Sequence, residues 1–380
     1  MPSPLLTRLA EGPLLCDGAM GTMLYARGVP LDACFDVLNL NEPKIVQSIH
    51  AEYIQAGSDL IETNTFGANR FKLAAHGLQG RVREINLHGA KLARDVRESM
   101  GRDVLVVGSI GPLGKYLAPL GSIEPEEARL AFHEQAEGLL EGGVDAFVIE
   151  TFSDLTEMGL AVEAVRALTD LPIVAEVAFT DDGVTFTGRS AAEVVRALRG
   201  LPIQVVGANC SVGSSVLYDI LEQMLPEAGG LHLVIQPNAG LPSRVGERLM
   251  YLSSPGYMAD YAARMIVAGA RMVGGCCGTT PPHVRAMREA LDRLAPQRSA
   301  ARVEPVRRAR VEAAEPTGLV TTARTLVIIA VTKSTSRSSS SGNDTTVSEN
   351  KISDSAAPTA LPMTRNSRPS LVVSTTVMNS

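Results

Sequence analysis

Three of the five cysteines in this 380-residue sequence, Cys210, Cys276 and Cys277, stand in settings where thiol chemistry can be done. Cys210 follows Gly207-Ala208-Asn209, and the adjacent pair Cys276-Cys277 is flanked by Gly274, Gly275 and Gly278. Zinc takes thiolate sulfur in a tetrahedron, and a reactive zinc site supplies three protein ligands while keeping one position open. Neighbouring residues of an extended strand point to opposite faces. The flanking glycines are therefore expected to give the backbone the freedom to turn both sulfurs inward. For the pair alone, two small buried residues or a vicinal disulfide are the competing readings; Cys210 at a neighbouring strand end favours a metal. Three thiolates on a dication leave a charge of about −1, which suits water splitting poorly. A fourth, incoming thiol would lose its proton there and stay electron-rich, which is the chemistry of alkyl transfer to sulfur. No H-E-x-x-H pattern of a zinc hydrolase occurs.

These residues need a frame that brings distant segments together. Short runs rich in Val, Ile and Leu predict strands at about 13–17, 59–63, 104–109, 145–149, 172–177, 203–208, 232–236 and 270–274. Nearly continuous apolar runs indicate strands buried on both faces, as in parallel sheets. Amphipathic stretches at 44–56, 81–99, 126–141, 156–168, 191–199, 214–224, 257–268 and 283–294 predict the intervening helices. Eight strands alternating with eight helices point to an α/β fold, a (β/α)8 TIM barrel, with an open doubly wound sheet as the alternative. The barrel is expected over 1–295, a linker over 296–331 and a Ser/Thr-rich disordered tail over 332–380.

In such a barrel the reactive groups gather at the C-terminal strand ends. Strand 1 ends in Asp17-Gly18-Ala19-Met20, strand 2 in Glu62-Thr63-Asn64, and strand 4 in Glu150-Thr151. Strand 6 ends in Asn209-Cys210, strand 7 in Gln236-Pro237-Asn238, and strand 8 in the Cys276-Cys277 pair. Asn238 offers an oxygen as a fourth metal ligand, or is simply the turn residue of Pro-Asn-Ala-Gly. Cys16 is expected to be a buried structural thiol, and His88, His133 and His283 to be helix-surface residues.

Composition narrows the field. Hydrophobic residues make up 45% of the chain, which supports a large core, and a net charge of −6 without a basic run argues against nucleic acid. No apolar run approaches the roughly 20 residues that span a bilayer. An odd number of cysteines and the absence of a signal-peptide pattern predict reduced thiols in the cytoplasm.

The segments DGAMGT at 17–22, ETNTFGAN at 62–69, GSIGPLG at 108–114, ETFSD at 150–154, GANCSVG at 207–213, QPNAGLP at 236–242 and GGCCGTTP at 274–281 resemble the homocysteine S-methyltransferase family. The wording is most similar to the N-terminal half of bifunctional proteins that join this domain to a methylenetetrahydrofolate reductase. Residues 296–380 do not resemble the reductase, and look like a truncation or an altered reading frame. The resemblance implies methyl transfer to the thiol of L-homocysteine, forming methionine, with Zn2+ on Cys210, Cys276 and Cys277. It implies that the loop containing Ala19 and Met20, together with Glu150, holds the amino-acid end of homocysteine. Asp17 and Glu62 are alternative partners for its ammonium, or turn and supporting acids. Enzymes of the family that use betaine carry Tyr after the acid of strand 4, where this chain has Thr151. The methyl donor is left open among S-methylmethionine, S-adenosylmethionine, methylcobalamin and methyltetrahydrofolate, free or on another protein. Two other readings stand beside this one: a non-catalytic homocysteine- and zinc-binding fragment of a larger methyltransferase, and an enzyme acting on a different thiol or selenol.

Overall fold

The computed structural model describes residues 3–245 and 248–300. Eight strands carry the frame: β1 Leu14–Leu15, β2 Leu60–Glu62, β3 Leu105–Ile110, β4 Ala146–Phe152, β5 Ile173–Val177, β6 Val205–Gly213, β7 His232–Asn238 and β8 Met272–Val273. Between and after them run α1 Pro43–Ala56, α2 Val82–Met100, α3 Pro125–Gly142, α4 Leu155–Arg166, α5 Ala191–Leu198, α6 Ser214–Met224, α7 Pro255–Ala268 and α8 Pro281–Ala300. The strands pair in parallel in the order β1-β8-β7-β6-β5-β4-β3-β2, which is the expected TIM-barrel architecture rather than an open doubly wound sheet. The seam between β1 and β2 is closed by Asp59. Its N–H donates to the Leu15 carbonyl (2.8 Å), and its carboxylate accepts from Leu15 N–H (2.8 Å) and from the Arg288 guanidinium of α8 (3.0 Å).

The period-two rule of a strand divides the core in two. Leu14, Leu60, Val107, Val148, Val174, Val205, Val234 and Met272 point inward and pack with one another. Leu15, Ile61, Val106, Ile149, Ala175, Val206, Ile235 and Val273 point outward against the helices. A helix not expected from the sequence, Pro4–Glu11, plugs the bottom of the barrel by adding Leu5 and Leu9 to the inner cluster. Continuing the inward rows upward by two residues brings Glu62, Ser109, Glu150, Glu176 and Gln236 to the mouth, and on β6 Asn209 follows two residues above Gly207. The fold thus delivers a polar ring above a dry interior.

Two strands break their register at that level. β4 shifts between Ile149 and Phe152, where Thr151 has φ 62°, and β6 shifts between Asn209 and Gly213, where Cys210 and Ser211 have φ 58° and 60°. A non-glycine residue in the left-handed region is uncommon, and a β-branched one such as Thr151 more so. Bulges of this kind re-aim side chains beside functional sites. Among the described residues no helix is long and apolar enough to cross a membrane. The expected linker beyond Ala300 and the expected tail over 332–380 lie outside the described residues.

One core residue gives a test of the fold. His50 of α1 is fully buried, neither ring nitrogen has a hydrogen-bond partner among the described residues, and burial lowers its pKa to about 4. The unfolded chain carries an ordinary histidine, with a pKa of about 6.5. Between these values the unfolded state binds the extra proton, so stability falls as pH drops through 6.5 and levels off below about 4. At about 1.4 kcal/mol per pKa unit, His50 should cost about 2 to 3 kcal/mol between pH 7 and pH 4.5. Urea unfolding of wild type and His50→Leu at both pH values should show the variant gaining by that amount on acidification. A pH-independent difference would contradict the assignment.

Candidate functional site

β6 and β8 flank β7 on either side, so their C-terminal ends face each other across it. The Sγ atoms of Cys210, Cys276 and Cys277 all lie within 4.8 Å of one another, and Cys210 and Cys277 are 3.7 Å apart. Two sulfurs on one tetrahedral zinc at 2.3 Å each are separated by about 3.8 Å. The cluster therefore has the dimensions of a single metal site. None of the five cysteines is in a disulfide, so Cys276 and Cys277 do not form a vicinal one. Hydrogen bonds from the neighbouring thiols and burial hold the Cys276 thiol well above its ordinary range. Three thiolates cannot coexist there without a cation to replace their protons.

Local backbone explains the aim of each sulfur, and here the structure corrects the role expected of the glycines. The left-handed turn that directs Cys210 falls on Cys210 and Ser211 themselves. Gly274 and Gly275 act by size. A Cβ at Gly274 would sit 2.5 Å from Cys16 Cβ and 2.6 Å from Gln236 Oε1, and one at Gly275 would strike Thr279. Only Gly278, with φ 79°, uses glycine's conformational freedom. Cys276 N–H donates to the Pro237 carbonyl and Ala239 N–H to the Cys277 carbonyl, each at 2.9 Å, which ties the pair to the end of β7. Asn238 is buried beside them, and its Oδ1 has no hydrogen-bond partner among the described residues.

A cavity of about 380 Å³ opens next to the thiols. Cys276 and Cys277 line it, as do Asp17, Ala19, Met20, Glu62 and Glu150, so the structure brings together the strand-end residues that the sequence singled out. Glu150 accepts from Ser109 Oγ (2.5 Å) and Asn209 Nδ2 (3.0 Å), while Asn209 Oδ1 accepts from Thr151 N–H (2.9 Å). Asp17 accepts from Glu62 N–H (3.1 Å). The Ala19 N–H is spent on Thr279 Oγ1 (3.0 Å) and is not free for a ligand. The N–H of Met20 has no acceptor among the described residues.

The sequence reading passed over Glu176, whose signal was an acid inside the apolar run of β5. It is fully buried, and burial with Glu150 nearby raises its carboxyl to about 8. Gln236 Nε2 donates to Glu62 (2.9 Å) and to Glu176 (3.1 Å), linking the two acids. Burial likewise raises Asp17, Glu62 and Glu150. Four carboxyl groups thus share the mouth, and a cationic ligand group would relieve their crowding. Tyr251, also missed, packs its ring over Gly278, and burial beside the Cys277 thiol raises its phenol. His283 is not the surface residue expected. It is buried, bonded through Nδ1 to Thr280 Oγ1 (2.8 Å) and through Nε2 to the Ser253 carbonyl (3.0 Å), so it holds the β7–α7 loop. Cys16 is buried as expected.

Fold and site define a (β/α)8 barrel with a thiol cluster at its mouth, beside an acid-lined cavity. The homocysteine S-methyltransferase family model matches residues 14–291, and the chain belongs to that family. Methionine synthase of Mycobacterium tuberculosis is 35% identical over 296 residues, and that of Mycobacterium leprae 34% over 304. These alignments take in 74% and 76% of this chain, and the chain spans about a quarter of the length of either relative. Among solved structures, the metallated form of the homocysteine methyltransferase MmuM from Escherichia coli is similar, with a TM-score of 0.63 and 26% identity. That match covers 75% of this chain and 99% of the other.

The geometry predicts about one divalent metal per chain in reduced, purified protein, measured by elemental analysis. Replacing Cys210, Cys276 or Cys277 by Ala should each remove most of it, and Cys34→Ala should retain it. Full occupancy in a Cys276→Ala, Cys277→Ala double variant would refute the site.

Proposed function

We propose that this chain transfers a methyl group to the thiol of L-homocysteine, forming methionine, with Zn2+ held by Cys210, Cys276 and Cys277. The observation that carries this reading is the convergence of three thiols to tetrahedral metal spacing beside a cavity lined by Glu150. Zinc held there supplies the positive charge that lets a bound thiol shed its proton at neutral pH while remaining a nucleophile. Asn238, with its buried and unpartnered Oδ1, fits as a fourth ligand before substrate arrives.

The chain's own residues account for the rest of the binding. Glu150, fixed by Ser109 and Asn209, faces the cavity and meets the substrate ammonium. Asp17 and Glu62 add negative potential on the same side, and Gln236 keeps Glu62 in place. The Met20 N–H, which has no acceptor among the described residues, serves the substrate carboxylate. Met20 therefore takes the role that Ala19 cannot. A thiol acceptor with an amino-acid end fits both poles; a simple thiol leaves the acids uncompensated. The share of the two mycobacterial proteins that this chain spans favours one alternative, a homocysteine- and zinc-binding portion of a larger enzyme. Incubation with homocysteine and each of S-methylmethionine, S-adenosylmethionine, methylcobalamin and methyltetrahydrofolate separates the two, since methionine from any donor shows turnover.

Two further outcomes are expected. Glu150→Gln should weaken homocysteine binding by about 2 to 3 kcal/mol, the worth of a hydrogen bond to a charged group, at unchanged metal content. Homocysteine binding should release about one proton at neutral pH, and affinity should rise with pH until the free thiol ionises. Calorimetry in buffers of different ionisation enthalpy reads both. Wild-type affinity in the variant would remove Glu150 from the site, and absence of proton release would place the thiol away from the metal.

A further inference from the structure

The cavity has a floor and an outer wall. Its floor is built from strand ends and carries Asp17, Glu62 and Glu150. Its outer wall is built from the loops after β1, β2 and β3, and there Lys72, His76 and Lys115 face it together with Asp32, Asp36 and the rings of Phe66 and Phe71. Lys72 Nζ lies 4.2 Å from the centre of the Phe66 ring, and among the described residues it has no carboxylate within ion-pair distance. Its stem is held in place by Gly114, where a Cβ would come within 3.2 Å of Lys72 Cε. The nearest acid by its effect, Asp36, is already engaged by the Gly67 N–H (2.9 Å). Burial lowers the Lys72 pKa, and the charges of Asp36, Glu157 and Glu150 oppose that shift without any of them closing an ion pair.

Resting on the methyl-transfer reading above, we propose that Lys72, with Phe66 and Lys115, forms a subsite for a carboxylate carried by the methyl donor. The acids of the floor repel a second carboxylate, and the lysine of the outer wall attracts it. A donor held this way lies across the cavity with its anionic end outward and its methyl group toward the thiols. The carboxylate belongs to an amino-acid sulfonium or to the glutamate tail of a folate; both donors carry this group, and the test separates them.

The test compares S-methylmethionine, trimethylsulfonium, which lacks the carboxylate, and methyltetrahydrofolate on the zinc-loaded full chain. Wild type should prefer a carboxylate-bearing donor over trimethylsulfonium. Lys72→Met should erase that preference by lowering kcat/KM for the carboxylate donor about tenfold or more, through KM. Lys72→Arg should restore most of it, and metal content and homocysteine KM should hold. The donor whose KM responds identifies the source of the carboxylate. Calorimetric binding of S-methylmethionine and methyltetrahydrofolate to both proteins, without homocysteine, reads the subsite even if no donor supports turnover. An equal loss on all donors, a rise in homocysteine KM instead of donor KM, or unaltered binding in Lys72→Met would overturn the proposal.

Discussion

Everything at the mouth of this barrel depends on three sulfur atoms brought together from two strands that are not neighbours. β7 lies between β6 and β8, so the Cys276-Cys277 segment must lean over its end to reach Cys210. It does so by borrowing β7's last backbone groups, the Pro237 carbonyl and the Ala239 N–H. Small residues at 274 and 275 allow that close approach, and the left-handed Cys210-Ser211 turn completes it. Strained non-glycine backbone of this kind costs about 1 to 3 kcal/mol per residue and persists where surrounding structure imposes it. On the proposed reading, a cation turns the crowding of the three thiols into coordination.

The second organising feature is charge. On β2, β3, β4, β5 and β7 the inward rows switch from Val and Leu to Glu, Ser and Gln within one step of two residues. Below the switch the barrel is a packed apolar core that the N-terminal helix seals. Above it, acids whose burial raises their pKa values surround the floor of the cavity, while Lys72 and Lys115 stand with Asp32 and Asp36 in the loops beyond. On the proposed reading this gradient orients the substrates, drawing an ammonium inward and leaving carboxylates to the Met20 amide and the outer wall. The thiol is then the only end of homocysteine directed at the sulfurs of Cys276 and Cys277.

Much of this was legible in the residues. The alternation of apolar runs with amphipathic stretches located all eight strands and helices, because parallel strands buried on both faces leave a dense hydrophobic signature. The strand-end rule then placed Cys210, Cys276, Cys277, Asp17, Glu62 and Glu150 around one opening. Features that depend on conformation rather than composition escaped. Nothing in the letters says that Thr151 and Cys210 adopt positive φ, or that the Ala19 amide is used by Thr279 from the other end of the barrel chain. His283 looked like a helix-surface residue because its partner, the Ser253 carbonyl, belongs to a loop whose path only the fold fixes. Glu176 was readable in hindsight, since an acid on an inward row of an apolar strand must have a partner, here Gln236.

The central claim, that Cys210, Cys276 and Cys277 form one metal site with a position open to the substrate thiol, is tested most directly by X-ray absorption at the zinc edge. Spectra of the zinc-loaded chain would be recorded before and after saturation with homocysteine. The account predicts three sulfur neighbours at about 2.3 Å and one lighter atom at first. On saturation it predicts four sulfurs. A sulfur count that stays the same after homocysteine binds, or that falls short of three in the intact protein, would contradict it.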